Sequence, residues 1–171
     1  MPEVPAIEAA FAAVHARLIA VLDDLTVERN RDSEVGEEEC AEFGDRALLL
    51  MEDGEVDPGG GAPGESGAFG LTLYRCAFLV AGYISAETEA QLAAAIALHH
   101  ARVVRALVCN GGDVPLPVPL GDGQTDIEVV EVSLARTRAS VTESAHPFAS
   151  FVAGFRFDLR VREGVPFISI P

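Results

Sequence analysis

Phe69-Gly70-Leu71-Thr72-Leu73-Tyr74-Arg75-Cys76-Ala77-Phe78-Leu79-Val80-Ala81-Gly82-Tyr83 reads as one long β-strand. It is rich in the branched and aromatic side chains that suit a pleated surface. Apolar residues fall on both alternation sets, Leu71, Leu73 and Leu79 on one and Phe78 and Val80 on the other. The strand is therefore expected to be covered on most of both faces. Ser85 is expected to end it and to cap a helix whose first turn holds Glu87 and Glu89, where negative charge suits the helix dipole. That helix is expected to run to about Cys109, with Leu92, Ile96, Val103 and Leu107 on its buried stripe and Asn110-Gly111-Gly112 as its stop. The segment from Phe69 to Gly112 is the spine of a small domain, and it carries no catalytic group.

Outward from that spine, Ile7, Phe11, Val14, Leu18, Val21 and Leu25 repeat at alternating spacings of four and three. They predict an amphipathic helix over residues 5–25 that opens on Pro5. Three strands are expected around the spine: Thr26–Asn30, Arg46–Glu52 and Asp126–Ala135. The last strand, Ser150–Arg162, has the cleanest alternation. Phe151, Ala153, Phe155, Phe157, Leu159 and Val161 share one side, and Val152, Gly154, Arg156, Asp158, Arg160 and Arg162 share the other. The first set belongs in a core, the second against water or a partner. The acidic stretch Arg31–Asp45, the glycine-rich Asp53–Gly67 and the proline-spaced Gly111–Gly123 (Pro115, Pro117, Pro119) read as loops, the last two projecting from the sheet. The expected class is α+β: a single domain, residues 1–171, with a mixed or mostly antiparallel sheet of about five strands, two helices on one face, and the order αβββαββ.

Composition narrows the functional classes. Of 171 residues 49% are hydrophobic, so the chain has the means to bury a core. The start, Met1-Pro2-Glu3-Val4-Pro5, does not read as a signal peptide, and no apolar run has the length of a bilayer crossing. Cys40, Cys76 and Cys109 are scattered and odd in number, which suits reduced, structural thiols. The net charge of −15 sets the chain against tight binding to nucleic-acid phosphate. Its bases are all arginine, and its charge is lopsided. Residues 1–70 hold 17 acids against four arginines, and residues 71–171 hold 10 acids against eight.

Motifs for chemistry fail on inspection. Gly59-Gly60-Gly61-Ala62-Pro63-Gly64-Glu65-Ser66 has phosphate-loop spacing, but Glu65 stands where a lysine must hold phosphate. Gly64-Glu65-Ser66-Gly67-Ala68 lacks the closing glycine of a nucleophile elbow. His99 and His100 are adjacent, so on a helix they point about 100° apart and cannot chelate one ion together. His15 and His146 stand alone, and the four histidines are expected to be exposed or half-buried. No catalytic residue, cofactor or metal is expected.

Several segments together carry a family resemblance. The opening helix runs into Thr26-Val27-Glu28-Arg29-Asn30-Arg31-Asp32, and Leu48-Leu49-Leu50-Met51-Glu52-Asp53-Gly54 closes a strand on an acid and a glycine. Tyr83-Ile84-Ser85-Ala86-Glu87-Thr88-Glu89 leads to Ala101-Arg102-Val103-Val104-Arg105-Ala106-Leu107, and Phe155-Arg156-Phe157-Asp158-Leu159-Arg160-Val161-Arg162 closes the pattern. This order resembles the tail terminator proteins of long-tailed bacteriophages and gene transfer agents over most of the chain. The acidic loops Arg31–Asp45 and Asp53–Gly67 depart from it.

The resemblance implies a structural virion protein at the tail–neck junction, not an enzyme. Such a protein forms a homo-oligomer, a hexameric ring on the head-proximal end of the tail tube. There it stops polymerisation of the tail tube protein and meets head-completion or stopper proteins, while DNA passes without tight binding. Acidic side chains are expected to line the bore. Arg156, Arg160 and Arg162 of one subunit are expected to face Glu37, Glu38 and Glu39, or Asp23 and Asp24, of the next. Two other readings stay open: another neck protein (a head–tail connector or tail-completion protein), or a small-molecule-binding α/β domain with a pocket at the carboxyl ends of its strands.

Overall fold

A computed structural model describes residues 3–30, 46–58, 71–108, 118–120, 126–138, 148–162 and 167–169. The elements in chain order are β1 (Glu3–Pro5), α1 (Ala6–Val21), β2 (Thr26–Arg29), β3 (Arg46–Pro58), β4 (Leu71–Ser85), α2 (Glu89–Leu107), β5 (Val118–Pro119), β6 (Asp126–Ile127), β7 (Val129–Arg138), β8 (Phe148–Arg162) and β9 (Phe167–Ser169). The class is α+β. Five strands form a mixed sheet in the order β2-β3-β4-β8-β7, in which β2 runs parallel to β3 and every other pair is antiparallel. The element order is longer than the sequence suggested. Four short strands, β1, β5, β6 and β9, form two small antiparallel pairs, β1 with β9 and β5 with β6.

The long strand sits at the centre because it pairs along its whole length with β8 on one side and for most of it with β3 on the other. Its even-numbered residues Cys76, Phe78, Val80 and Ile84 are buried, and so are Phe151, Ala153, Phe155, Phe157, Leu159 and Val161 of β8. Both helices pack on this face. From α1, Phe11 meets Phe78 and Phe157 edge-on, with ring centroids 6.2 and 5.3 Å apart. From α2, His100 meets Phe151 at 5.6 Å. Gly82 makes room for Phe151, its neighbour across the strand pair, since a Cβ on Gly82 would overlap that ring.

The opposite face of β4 is not covered as expected. Ala77, Leu79 and Tyr83 are half-buried, Ala81 is buried and Arg75 is exposed. The reason is tertiary: both helices lie on one side, so no described helix covers the odd-numbered residues of β4.

Helix boundaries shift for local reasons. Pro5 sits one residue before α1 as its N-cap, without a side-chain cap. The buried stripe of α1 runs through Phe11, Val14, Leu18 and then Leu22, while Val21 is exposed. Ser85 stays in the strand, and Thr88 caps α2 instead. The Gln91 N–H donates to Thr88 Oγ1 at 3.3 Å, and the Thr88 N–H donates to Gln91 Oε1 at 3.1 Å. This reciprocal box satisfies two amides that no helical carbonyl can reach. Leu92, Ile96, Val103 and Leu107 are buried as expected, but so is His99, which the same stripe carries inward.

Strand β3 does not stop at Glu52. Its register against β4 shifts between Glu52 and Val56 and then resumes to Pro58, because the long β4 still offers backbone partners there. The expected 126–135 strand is split at Glu128 into β6 and β7. Part of the expected 111–123 loop instead belongs to the core: β5 pairs with β6, and Leu120 is buried. Asn30 ends β2 with φ 51°, a left-handed conformation that asparagine tolerates, and its N–H donates to the Leu50 carbonyl at 2.8 Å. The loop expectations over 31–45 and 59–67, the Gly59–Ala68 motifs, Cys40, Cys109 and His146 lie outside the described residues. Cys76 is buried in the core.

Candidate interaction surface

With both helices on one side, the other face of the sheet exposes charged side chains. On β8 it presents Arg156, Asp158 and Arg160, all exposed. On β4 it presents Arg75, also exposed and directly opposite Asp158 in the register. Ala77 stands beside Arg156, and Leu79 stands beside the buried Gly154. The edge strand β7 adds Val130 and Val132, 41% and 54% exposed. Ser133 Oγ and Val132 lie over Gly154, where any Cβ would overlap the hydroxyl. The surface is therefore a flat apolar floor of valine, leucine and alanine flanked by arginine. Arg162 pairs through its backbone with Leu71, and its side chain lies outside the described set.

Of the acids expected to face these arginines from the next subunit, Asp23 and Asp24 are described. Asp23 and Asp24 follow α1 in the helix layer, both exposed. Asp24 is already engaged within the subunit, since Arg102 of α2 grips it with both guanidinium nitrogens, Nη1 to Oδ2 at 2.9 Å and Nη2 to Oδ1. Donating to the Asp24 carboxylate raises the already high pKa of Arg102. Asp24 thus ties the end of α1 to α2 within the chain. Glu37, Glu38 and Glu39 lie outside the described residues.

Other polar groups of the helix layer are likewise bound internally. Arg29 of β2 holds Glu8 of α1 in a two-pronged pair at 2.7 and 2.8 Å. That hydrogen bond, reinforced by the charge on Arg29 and opposed by partial burial, holds the Glu8 carboxyl below its ordinary pKa. His15 Nε2 donates to the Val27 carbonyl at 3.2 Å, and Arg17 Nε donates to the Ala106 carbonyl at 3.3 Å. His100 lies 2.6 Å from Glu131 of β7 and pins α2 to that edge of the sheet.

Among the described residues no three His, Cys, Asp or Glu side chains come together as a metal site would require. No described helix is long and apolar enough to cross a membrane. Comparison with protein-family models finds no match, and comparison with curated proteins finds none. Sequence reading found Arg156 and Arg160 through the alternation of β8. It missed Arg75, Val130 and Val132, because only the strand order places them on the same face.

Proposed function

We propose that this chain is a structural assembly protein of the tail terminator type, acting as a hexameric ring. The ring sits on the head-proximal end of a tail tube at the tail–neck junction of a virion or gene transfer agent. It stops polymerisation of the tube protein and presents a surface to head-completion or stopper proteins. The observation that carries the reading is the open sheet face, with Arg75, Arg156 and Arg160 exposed on a chain of net charge −15. A ring needs heterologous contacts, in which one patch of each subunit meets a different patch of its neighbour. A basic patch on an otherwise acidic subunit supplies one half of such a contact. The overall negative charge suits a bore through which DNA passes without sticking. Negative-stain images of the purified protein are expected to show six-fold rings, and producer cells lacking the gene are expected to make overlong tails. A strict monomer, or tails of normal length that merely fail to join heads, would overturn this reading, the second outcome in favour of another neck protein.

A further inference from the structure

The outward face of the helix layer is largely alanine, with charge at its margins. Helix α1 has three polar side chains, Glu8, His15 and Arg17, and each is bonded within the subunit. Besides Glu8, α1 turns outward Ala12, Ala16, Ile19, Ala20 and Val21, with Ile19 48% and Val21 43% exposed. Helix α2 turns outward an alanine run around Leu98, which is 59% exposed, with Gln91 and Arg105 exposed towards its two ends. Exposed apolar faces on folded proteins mark interaction sites. The face is bordered by the exposed acids Asp23, Glu87 and Glu89.

We infer that this helix face is the seat for the open sheet face of a second copy of the chain. The two surfaces match in kind. Ile19 and Leu98 are the apolar centre on one side, and Val130, Val132 and Leu79 form the apolar floor on the other. Acids outnumber arginine at the border of the first (Asp23, Glu87 and Glu89 against Arg105), and arginines outnumber acid on the second (Arg75, Arg156 and Arg160 against Asp158). Each copy carries net −15, so two copies repel unless they meet where acids are sparse or matched by arginine. The two surfaces lie on opposite layers of the subunit, so the contact is heterologous and propagates from copy to copy until rotation closes it. This rests on the ring reading only for closure; the contact itself stands on the two faces.

Mixing two variants tests it. One carries Ile19→Glu with Leu98→Glu and keeps its sheet face; the other carries Val132→Asp with Arg156→Glu and keeps its helix face. Circular dichroism checks folding, with Ile19→Gln and Leu98→Gln, or Val132→Thr and Arg156→Gln, as milder replacements if a pair unfolds. Light scattering is expected to give an oligomer for wild type and the single-chain mass, 18.0 kDa, for each variant alone. The one-to-one mixture is expected to give a dimer and nothing larger, because only one sound helix face meets one sound sheet face. Variants that keep the wild-type mass, or a mixture that stays monomeric, overturn this contact while leaving a wild-type ring intact. A wild type that forms open stacks keeps the contact and removes the ring. A monomeric wild type removes both.

Discussion

Phe78 is where the two layers are joined, and its truncation is the sharpest test of the fold. Its ring is fully buried. It lies edge-on to Phe11 at 6.2 Å, stacked on Phe155 at 5.4 Å and tilted against Phe157 at 6.0 Å. Those neighbours come from α1 and from β8, which are held by separate backbone networks and cannot all close on a void. Phe→Ala substitutions in cores cost about 3–5 kcal/mol, more where the site cannot collapse. Aromatic pairs contribute about 0.5–1.5 kcal/mol each beyond burial. Phe78→Ala is therefore expected to lose about 4 kcal/mol, a large part of a usual stability of about 5–15 kcal/mol. Phe78→Leu, which refills much of the space, should lose about 1–2 kcal/mol. Urea denaturation followed by circular dichroism, at one protein concentration, reads this as a fall in midpoint. With a slope near 2 kcal/mol per molar, Phe78→Ala lowers it by about 2 M. The exposed Phe167, truncated to alanine, serves as the control and should move it little. A loss below about 2 kcal/mol for Phe78→Ala, with the slope unchanged, would mean that α1 and β8 do not close over this ring as described.

Three further outcomes follow from particular contacts. Gly82→Ala drives a methyl into the buried ring of Phe151 and is expected to cost about 1–3 kcal/mol as overpacking, read by thermal melting; an unchanged melt would refute that packing. Thr88→Ala removes one half of the reciprocal cap on α2 and should cost about 1 kcal/mol, with amide exchange accelerated first at Gln91. Glu8, whose pKa is depressed in the folded state, stabilises the fold above its unfolded value and loses that contribution as pH falls through the lower folded value. Because the Glu8 side chain is half exposed to solvent the effect is less than about 1 kcal/mol, so Glu8→Gln should be slightly less stable than wild type near neutrality and equal to it at the acid end. A constant difference across pH would detach the effect from Glu8 ionisation.

Two kinds of information meet in this chain. The α+β class, the presence of the long strand and the inward set of β8 were legible in the sequence, because period-two and period-3.6 patterns are written into neighbouring residues. It also carried the buried stripe of α2, though it left out His99, which lies on the same stripe between Ile96 and Val103. It identified Arg156 and Arg160 as outward for the same reason. Where competing local signals were close, it missed by a step: Ser85 and Thr88 are both sound caps, and only Thr88 has Gln91 three residues on; Val21 and Leu22 both fit a helix end, and only packing chooses Leu22. What lies beyond the reach of local pattern is long-range. Pairing of β1 with β9 joins segments far apart in the chain, and Leu120 is buried in a core to which both helices and the sheet contribute. The continuation of β3 past Glu52 depends on the length of its partner, not on its own residues. Most of all, the side of the sheet on which the helices lie is a tertiary decision. That choice buries the even-numbered face of β4, leaves Arg75, Val130 and Val132 together on the other, and turns the apolar outer sides of both helices to the surface. Side-chain alternation says which residues share a face; only the placement of the helices says which face is left open.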